Sequence, residues 1–357
     1  MKSEVYFVPL KSKDLKERCA ALEKVLERAR PFTEYKKGEF IPVKLTIGDK
    51  DCVYNVSPEL VKIVVSGIKA AQAKPFLFDT NVIYQGERMN AVDHLNLAES
   101  KGFTHSKVGA PFIIADGVFG QDGQQFKIQS DIIGAIKVPS FVGMLDSLVV
   151  LSHATGHIVS GYAGAIKNVA MGMVARATKQ VEHSSLKPSV MENKCTACGC
   201  CIKICPVQAI SFVKDKARIN QKVCLGCGEC LAACKFYAVS VNWQEDARIF
   251  AKRMAEVALA ILNNFKNKFY ITFAFDITKE CDCISNAKEK MLSRDLGILV
   301  SRDIVSLDKA TLDLLGLEES KDPYLKEAEK IGRDIFSYAA QKGLGNLEYT
   351  LINPDED

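Results

Sequence analysis

Two runs of cysteine carry the clearest chemistry in this chain. Cys195, Cys198, Cys201 and Cys205 follow the spacing C-x2-C-x2-C-x3-C with Pro206 next, and Cys224, Cys227, Cys230 and Cys234 repeat it with Lys235 in place of the proline. Soft thiolates so spaced let one loop wrap three ligands around a cube of iron and sulfide, while the fourth crosses to a second cube. The pattern therefore assigns Cys195, Cys198, Cys201 and Cys234 to one [4Fe-4S] cluster, and Cys224, Cys227, Cys230 and Cys205 to another. Aligning residues 195–212 with 224–241 matches both runs, pairs Gly199 with Gly228, and sets Gln-Ala-Ile-Ser against Tyr-Ala-Val-Ser, which marks an internal duplication. Structural zinc would call for paired C-x2-C knuckles far apart, and a disulfide framework belongs to a short secreted chain. Cys200 fits no template position and reads as a packed bystander.

A second set of groups gathers around strand ends. Cys281-Asp282-Cys283 places two thiols one acid apart, which can chelate a metal but supplies only two ligands, so a complete site needs partners such as His153 or His157. Those histidines are four apart, directly after an apolar run, with Thr155-Gly156 between them favouring a loop. Gly161, Gly164, Lys167 and Asn168 follow, and a helix starting there would favour negative charge at its N-terminus. In open α/β sheets ligands sit beyond the carboxyl ends of the strands, a rule that adds Lys44, Asp79, Thr80, Asn81 and Asp276 as neighbours.

The elements that must position these groups alternate. Strand-like runs at 5–8, 40–47 and 75–78 are separated by helical periodicity at 12–30 and 58–71, with a further helix at 91–100. Residues 108–115 read as strand broken by Pro111, 116–129 as a turn or hairpin, and 132–138 and 148–151 as central strands. The spacer between the cysteine runs reads as a hairpin. Beyond it come a helix at 246–263, strands at 269–275 and 297–300, and helices at 306–315 and 322–342. This rhythm predicts an α/β fold, a largely parallel sheet with flanking helices, interrupted by a small α+β dicluster domain. The expected division is 1–187 as the first part of the α/β domain, 188–243 as the cluster domain, and 244–357 as its completing part. The glycines at 109, 117 and 120 make no dinucleotide fingerprint and there is no Walker sequence.

At 357 residues and 48% hydrophobic, the chain can bury a full core. No signal peptide and no run long enough to span a bilayer is evident, so a cytoplasmic protein, with no membrane, is expected, and exposed clusters suit an anaerobe. The formal net charge of +4 treats thiols as neutral, and anionic clusters bring it towards zero. Residues 188–243 carry Lys194, Lys203, Lys214, Lys216, Arg218, Lys222 and Lys235 against Glu192, Asp215 and Glu229. That surplus suits an acidic redox carrier such as a ferredoxin better than nucleic acid.

The chain closely resembles the iron-sulfur proteins of domain-of-unknown-function family 362, fused to a bacterial two-cluster ferredoxin module. The match rests on VKLTIGD (43–49), FDTN (78–81), NAVDHL (90–95), GAPFIIADG (109–117), SHATGH (152–157), GAIKNVAMGMVAR (164–176), both cysteine runs, CDC (281–283) and SRDIVSLDKATLDL (301–314). Members often carry histidine where Thr46 stands and cysteine where Met173 stands. The resemblance implies a fold, a cofactor and a shared site for His153, His157, Lys167, Asn168, Cys281 and Cys283, but no reaction. The expectation is a redox protein whose two clusters pass single electrons between a carrier and a crevice site, a ferredoxin-linked oxidoreductase. His153, His157, Lys167, Asp79 and Lys44 would bind an acceptor, or, with Cys281 and Cys283, an additional metal. A non-catalytic electron carrier and a metallocentre-assembly or metal-handling protein are the rival readings.

Overall fold

The computed structural model describes residues 2–354 apart from 85, 131, 158–159, 184–186, 225–228, 237, 241–246, 284–286, 289–290 and 317–322. Cys227 and the boundary expected at 243/244 lie outside the described residues.

The strands that read as continuous apolar runs do so because both faces of one sheet are covered. Eight strands lie in the order Tyr349–Ile352, Ser3–Pro9, Gly297–Ser301, Asn267–Ala274, Ser147–His153, Phe40–Lys44, Lys74–Asp79 and Phe112–Ile114. Five of the seven pairings are parallel, and the two antiparallel ones flank Gly297–Ser301. The α/β expectation, with a largely parallel sheet, is thus met. Alternate side chains feed two cores. Val149, Leu151, Ile271, Phe273, Ile298 and Val300 pack on one face with Leu22, Val25, Val61, Val64 and Ile68 from helices Leu15–Ala29 and Pro58–Ala70. Leu148, Val150, Tyr270 and Leu299 pack on the other with residues of helices Ala165–Gly172, Ala247–Leu262, Ile304–Leu315 and Pro323–Gln341. Strands from before and after residues 188–243 share the sheet.

Sheet order sets the site. From Phe40–Lys44 the chain steps outward to Lys74–Asp79 and Phe112–Ile114, then returns to lay Ser147–His153 on the opposite side of Phe40–Lys44. The crevice beyond such a reversal is where open α/β sheets bind ligands, and Lys44 ends the strand at that point.

Three expectations are corrected. Residues 132–138 are not a central strand: Ala135–Val138 pairs antiparallel with Gln124–Lys127 in a separate hairpin, its polar partner strand leaving only one face to bury. The 108–115 run is split, with a helical turn His105–Val108 closed by Gly109 at φ 87° before the short strand Phe112–Ile114. His157 lies not in a loop but at the end of Thr155–His157, which pairs with Gly161–Ala163. The edge strand Tyr349–Ile352 escaped notice because its exposed, mixed residues show no strand period.

Candidate functional site

The cysteine segment is built as a repeat. Helices Cys200–Ile204 and Glu229–Ala233 sit 29 residues apart, the offset that superimposes the two cysteine runs. The expected hairpin is present, Ile210–Val213 against Lys216–Ile219, turned by Lys214 and Asp215 at φ 49° and 57°, both central residues left-handed as in a type I′ turn. The duplication extends to hydrogen bonding: the Ala209 N–H donates to Cys205 Sγ at 3.2 Å, and the Ala238 N–H donates to Cys234 Sγ at 3.2 Å. The Ala217 N–H donates to Cys195 Sγ at 3.5 Å.

Two small cavities lie in this segment. One is lined by Cys195, Cys198, Cys201 and Cys234, with Cys200, Phe212 and Val239. The other is lined by Cys205, Cys224 and Cys230 with Pro206 and Ile219. The seven described template cysteines are therefore sorted between the cavities as the spacing sorts them, the fourth cysteine of each run crossing over. None of the seven is in a disulfide. Among the described residues no group of three or more His, Cys, Asp or Glu side chains already stands in a metal-holding arrangement. As a test of fit, sulfur-lined cavities with backbone N–H groups donating to the sulfurs are the surroundings that cysteine-ligated clusters use to set their potentials.

Another cavity, about 330 Å³, opens beyond the strand ends and brings together Lys44, Asp79, His153, His157, Lys167, Cys281 and Cys283. Lys44 is wholly buried. Its Nζ pairs with Asp79 Oδ1 at 3.0 Å and donates to Asn168 Oδ1 at 2.8 Å and to the Leu45 carbonyl at 2.6 Å. Burial lowers its pKa, which the Asp79 carboxylate partly offsets. Burial raises the Asp79 pKa, but Lys44, His94, Arg88 and Lys179 together hold it below the usual range. Helix Ala165–Gly172 comes close because Gly172 lacks a side chain: a Cβ there would stand 2.2 Å from Lys44 Cε.

His153 ends its strand with both ring nitrogens engaged. Nδ1 lies 2.8 Å from Asp282 Oδ1, and Nε2 lies 2.8 Å from the Phe275 carbonyl. A carbonyl only accepts and an ionised carboxylate only accepts, so the ring carries both protons. Burial opposes that charge, yet Asp282 outweighs it and raises the His153 pKa; for Asp282, burial is outweighed by His153 and its pKa falls. In this arrangement His153 offers no lone pair to a metal. His157 accepts at Nδ1 from the Ser160 N–H at 3.0 Å and stacks on Phe250.

Cys281 and Cys283 both line the cleft. Their mutual interaction first, then burial, raises the Cys281 pKa; the same interaction, with Lys167, Arg88 and Tyr84, drives Cys283 well below its ordinary value. Burial would lower the Lys167 pKa, but the two thiols and Asp282 raise it.

Arg88 carries no spacing signal in the sequence, whereas Lys179 stands in the run of bases that follows Lys167 and Asn168. Arg88, in the loop after Lys74–Asp79, is 2% exposed; it donates to Thr46 Oγ1 at 2.8 Å and to the Tyr84 hydroxyl, and stands 3.7 Å from Asp79 Oδ2. Lys179 reaches in to Thr80 Oγ1 at 2.5 Å and the Asn81 carbonyl at 2.7 Å, and burial brings its pKa down to about 8. In the sequence Asp282 stands out only as the residue between two thiols, whereas in the fold it pairs with His153. Asp276, expected in the crevice, is instead paired with Arg18 at 2.7 Å. The N-terminus of Ala165–Gly172 is not open to an anion, because Asp308 accepts from the Ala165 and Ile166 N–H groups, both at 2.8 Å.

Ile83 links the two sites: it lines the cleft and belongs to the packed cluster that includes Cys195, Cys201, Cys230 and Cys234.

Fold and site define an α/β protein with a crevice at the sheet's reversal point and a duplicated cysteine segment beside it. Residues 41–313 match the domain of unknown function DUF362, and the chain belongs to that family. Two solved structures are similar. The lactate racemase apoprotein from Thermoanaerobacterium thermosaccharolyticum is 12% identical, with a TM-score of 0.41 over 77% of this chain and 51% of that one. A structural-genomics protein from Thermotoga maritima is 10% identical, with a TM-score of 0.42 over 92% of this chain and 60% of that one. The chain thus spans between about half and three fifths of the length of each. No curated protein matches it. Among the described residues no helix is long and apolar enough to cross a membrane.

Proposed function

We propose that this chain is an iron-sulfur redox protein that passes single electrons, through two [4Fe-4S] clusters in an inserted ferredoxin-like domain, to or from the cleft of the α/β domain. The observation that carries the reading is the sorting of Cys195, Cys198, Cys201 and Cys234 around one cavity and Cys205, Cys224 and Cys230 around another; Cys227 would complete the second set. Each such cluster, when bound, supplies a one-electron couple.

The chain's own residues supply the rest. N–H groups of Ala209, Ala217 and Ala238 steady the sulfurs. Ile83 makes the apolar contact from that segment to the cleft. Lys44, Arg88, Lys167 and Lys179 stand against the carboxylates of Asp79 and Asp282, so the cleft has surplus positive charge in a low-dielectric setting and favours a small anionic acceptor. Outside, Lys194, Lys203, Lys214 and Lys222 are exposed on the cysteine segment and form the docking face for an acidic carrier, whose approach they would accelerate at low salt.

The test is anaerobic. Purified protein contains about eight irons and eight sulfides per chain, as two cubane clusters require, and a reduced acidic ferredoxin bleaches the cluster absorption at a rate that falls with ionic strength. Lys203→Glu with Lys222→Glu slows that step by about tenfold or more without changing iron content. An iron count near four, or no reduction by ferredoxin, sinks the reading.

A further inference from the structure

The cleft contains a pair of cysteines. Cys281 and Cys283 both line it, one residue apart in the chain, with Cys281 buried at 6% exposure. The neighbours that a metal site would need are committed elsewhere: His153 spends both nitrogens on Asp282 and Phe275, and His157 accepts from Ser160. What does surround the pair suits thiol chemistry. Lys167 and Tyr84, the latter held by Arg88, line the same cleft, and the Lys167 charge favours an ionised thiol there. A thiolate so supported is the reactive form of cysteine, and a second thiol beside it is its resolving partner.

We infer that Cys281 and Cys283 form a reversible dithiol–disulfide couple at the wall of the cleft, the two-electron terminus that the one-electron clusters serve. The inference rests on the electron-delivery reading above and gives it a chemical end point. In the oxidising direction the Cys281 S–H bond breaks and one S–S bond forms. One proton and two electrons leave, the electrons going one to each oxidised cluster. In reduction two electrons and one proton return, the S–S bond breaks, and Cys281 thiol and Cys283 thiolate are restored beneath the Lys167 ammonium. A disulfide across one intervening residue closes a small strained ring, and strained disulfides are the labile, readily reduced ones. Such a pair is fitted to exchange electrons with a small disulfide, or with another acceptor of two electrons, entering the cleft.

The test uses the anaerobic holoprotein, equilibrated in mixtures of oxidised and reduced dithiothreitol, quenched in acid, alkylated and digested with trypsin. Residues 280–288 form a tryptic peptide whose only cysteines are Cys281 and Cys283. The expected result is that this peptide passes from doubly alkylated to unalkylated and lighter by two hydrogens, in one step. Across that step the ratio of its forms follows the dithiothreitol ratio one to one, as two-electron exchange demands. Cys281→Ser abolishes the step. Doubly alkylated peptide at every ratio overturns the inference, as does a third metal population present in the native protein and lost with Cys281→Ser plus Cys283→Ser. A second arm separates this inference from the reading beneath it: preoxidised protein is photoreduced by a one-electron donor, and the reappearance of both thiols is followed by alkylation. Thiols that titrate with dithiothreitol but do not return on cluster photoreduction overturn the coupling and the electron-delivery reading, while the iron count still stands or falls alone.

Discussion

At the residue scale the cleft is a set of buried charges that hold one another ionised. His153 and Asp282 show the rule with its sign. The Asp282 pKa is lowered, so its contribution to stability is present above its unfolded value near 3.9 and fades as pH falls through the lowered one; the His153 pKa is raised, so its contribution is present below about 6.5 and fades as pH rises through the raised one. The pair therefore contributes fully between roughly pH 4 and 6.5. His153→Gln should cost about 3–5 kcal/mol in that window, read as a fall in Tm at pH 6, with a smaller fall near pH 9 as the native imidazolium loses its proton. An equal fall at both values would mean that the ring keeps one charge state across the range. The sequence marks His153, His157, Lys44 and Asp79 because each stands at or beside a strand end. It does not mark Arg88, since an arginine in a loop ordinarily faces water and only the folded chain brings it within 3.7 Å of Asp79.

At the element scale, helices and strands were legible wherever periodicity and caps agreed. Asp14, Ser57, Asn90 and Asp303 each cap a helix through the side chain, and those helices begin within three residues of where the pattern places them. Legibility failed where partnership is decided at a distance. Ala135–Val138 is apolar enough for the sheet but pairs with Gln124–Lys127. The N-terminus of Ala165–Gly172 looks like an anion site until Asp308, more than 140 residues away, fills it. Gly172 is a further case: its role is to let this helix close on Lys44. Gly172→Ala should destabilise the protein by about 1–3 kcal/mol through overpacking, measured by urea unfolding, and should loosen the hold of Asn168 on Lys44; an unchanged midpoint would show that the helix can shift away freely.

At the scale of the whole molecule, the sheet sets the cleft and the cysteine segment stands against it through Ile83, the approach of Lys137 to Glu229 at 4.0 Å, and Lys235 over the Phe119 ring. The sorting of the cysteines between two cavities was legible because their spacing repeats at a fixed 29-residue offset; the cleft's occupant was not, because a pocket of mixed charges can form from residues with no common spacing. We hold that the two cysteine cavities bind iron and that electrons reach the cleft from them. Anomalous diffraction at the iron edge, from crystals grown without oxygen, decides whether they bind it. Two separate iron centres are expected, one among Cys195, Cys198, Cys201 and Cys234 and one among Cys205, Cys224, Cys227 and Cys230, with no iron at Cys281 and Cys283. A single centre, iron lodged between Cys281 and Cys283, or ligands drawn from one cysteine run alone would contradict it.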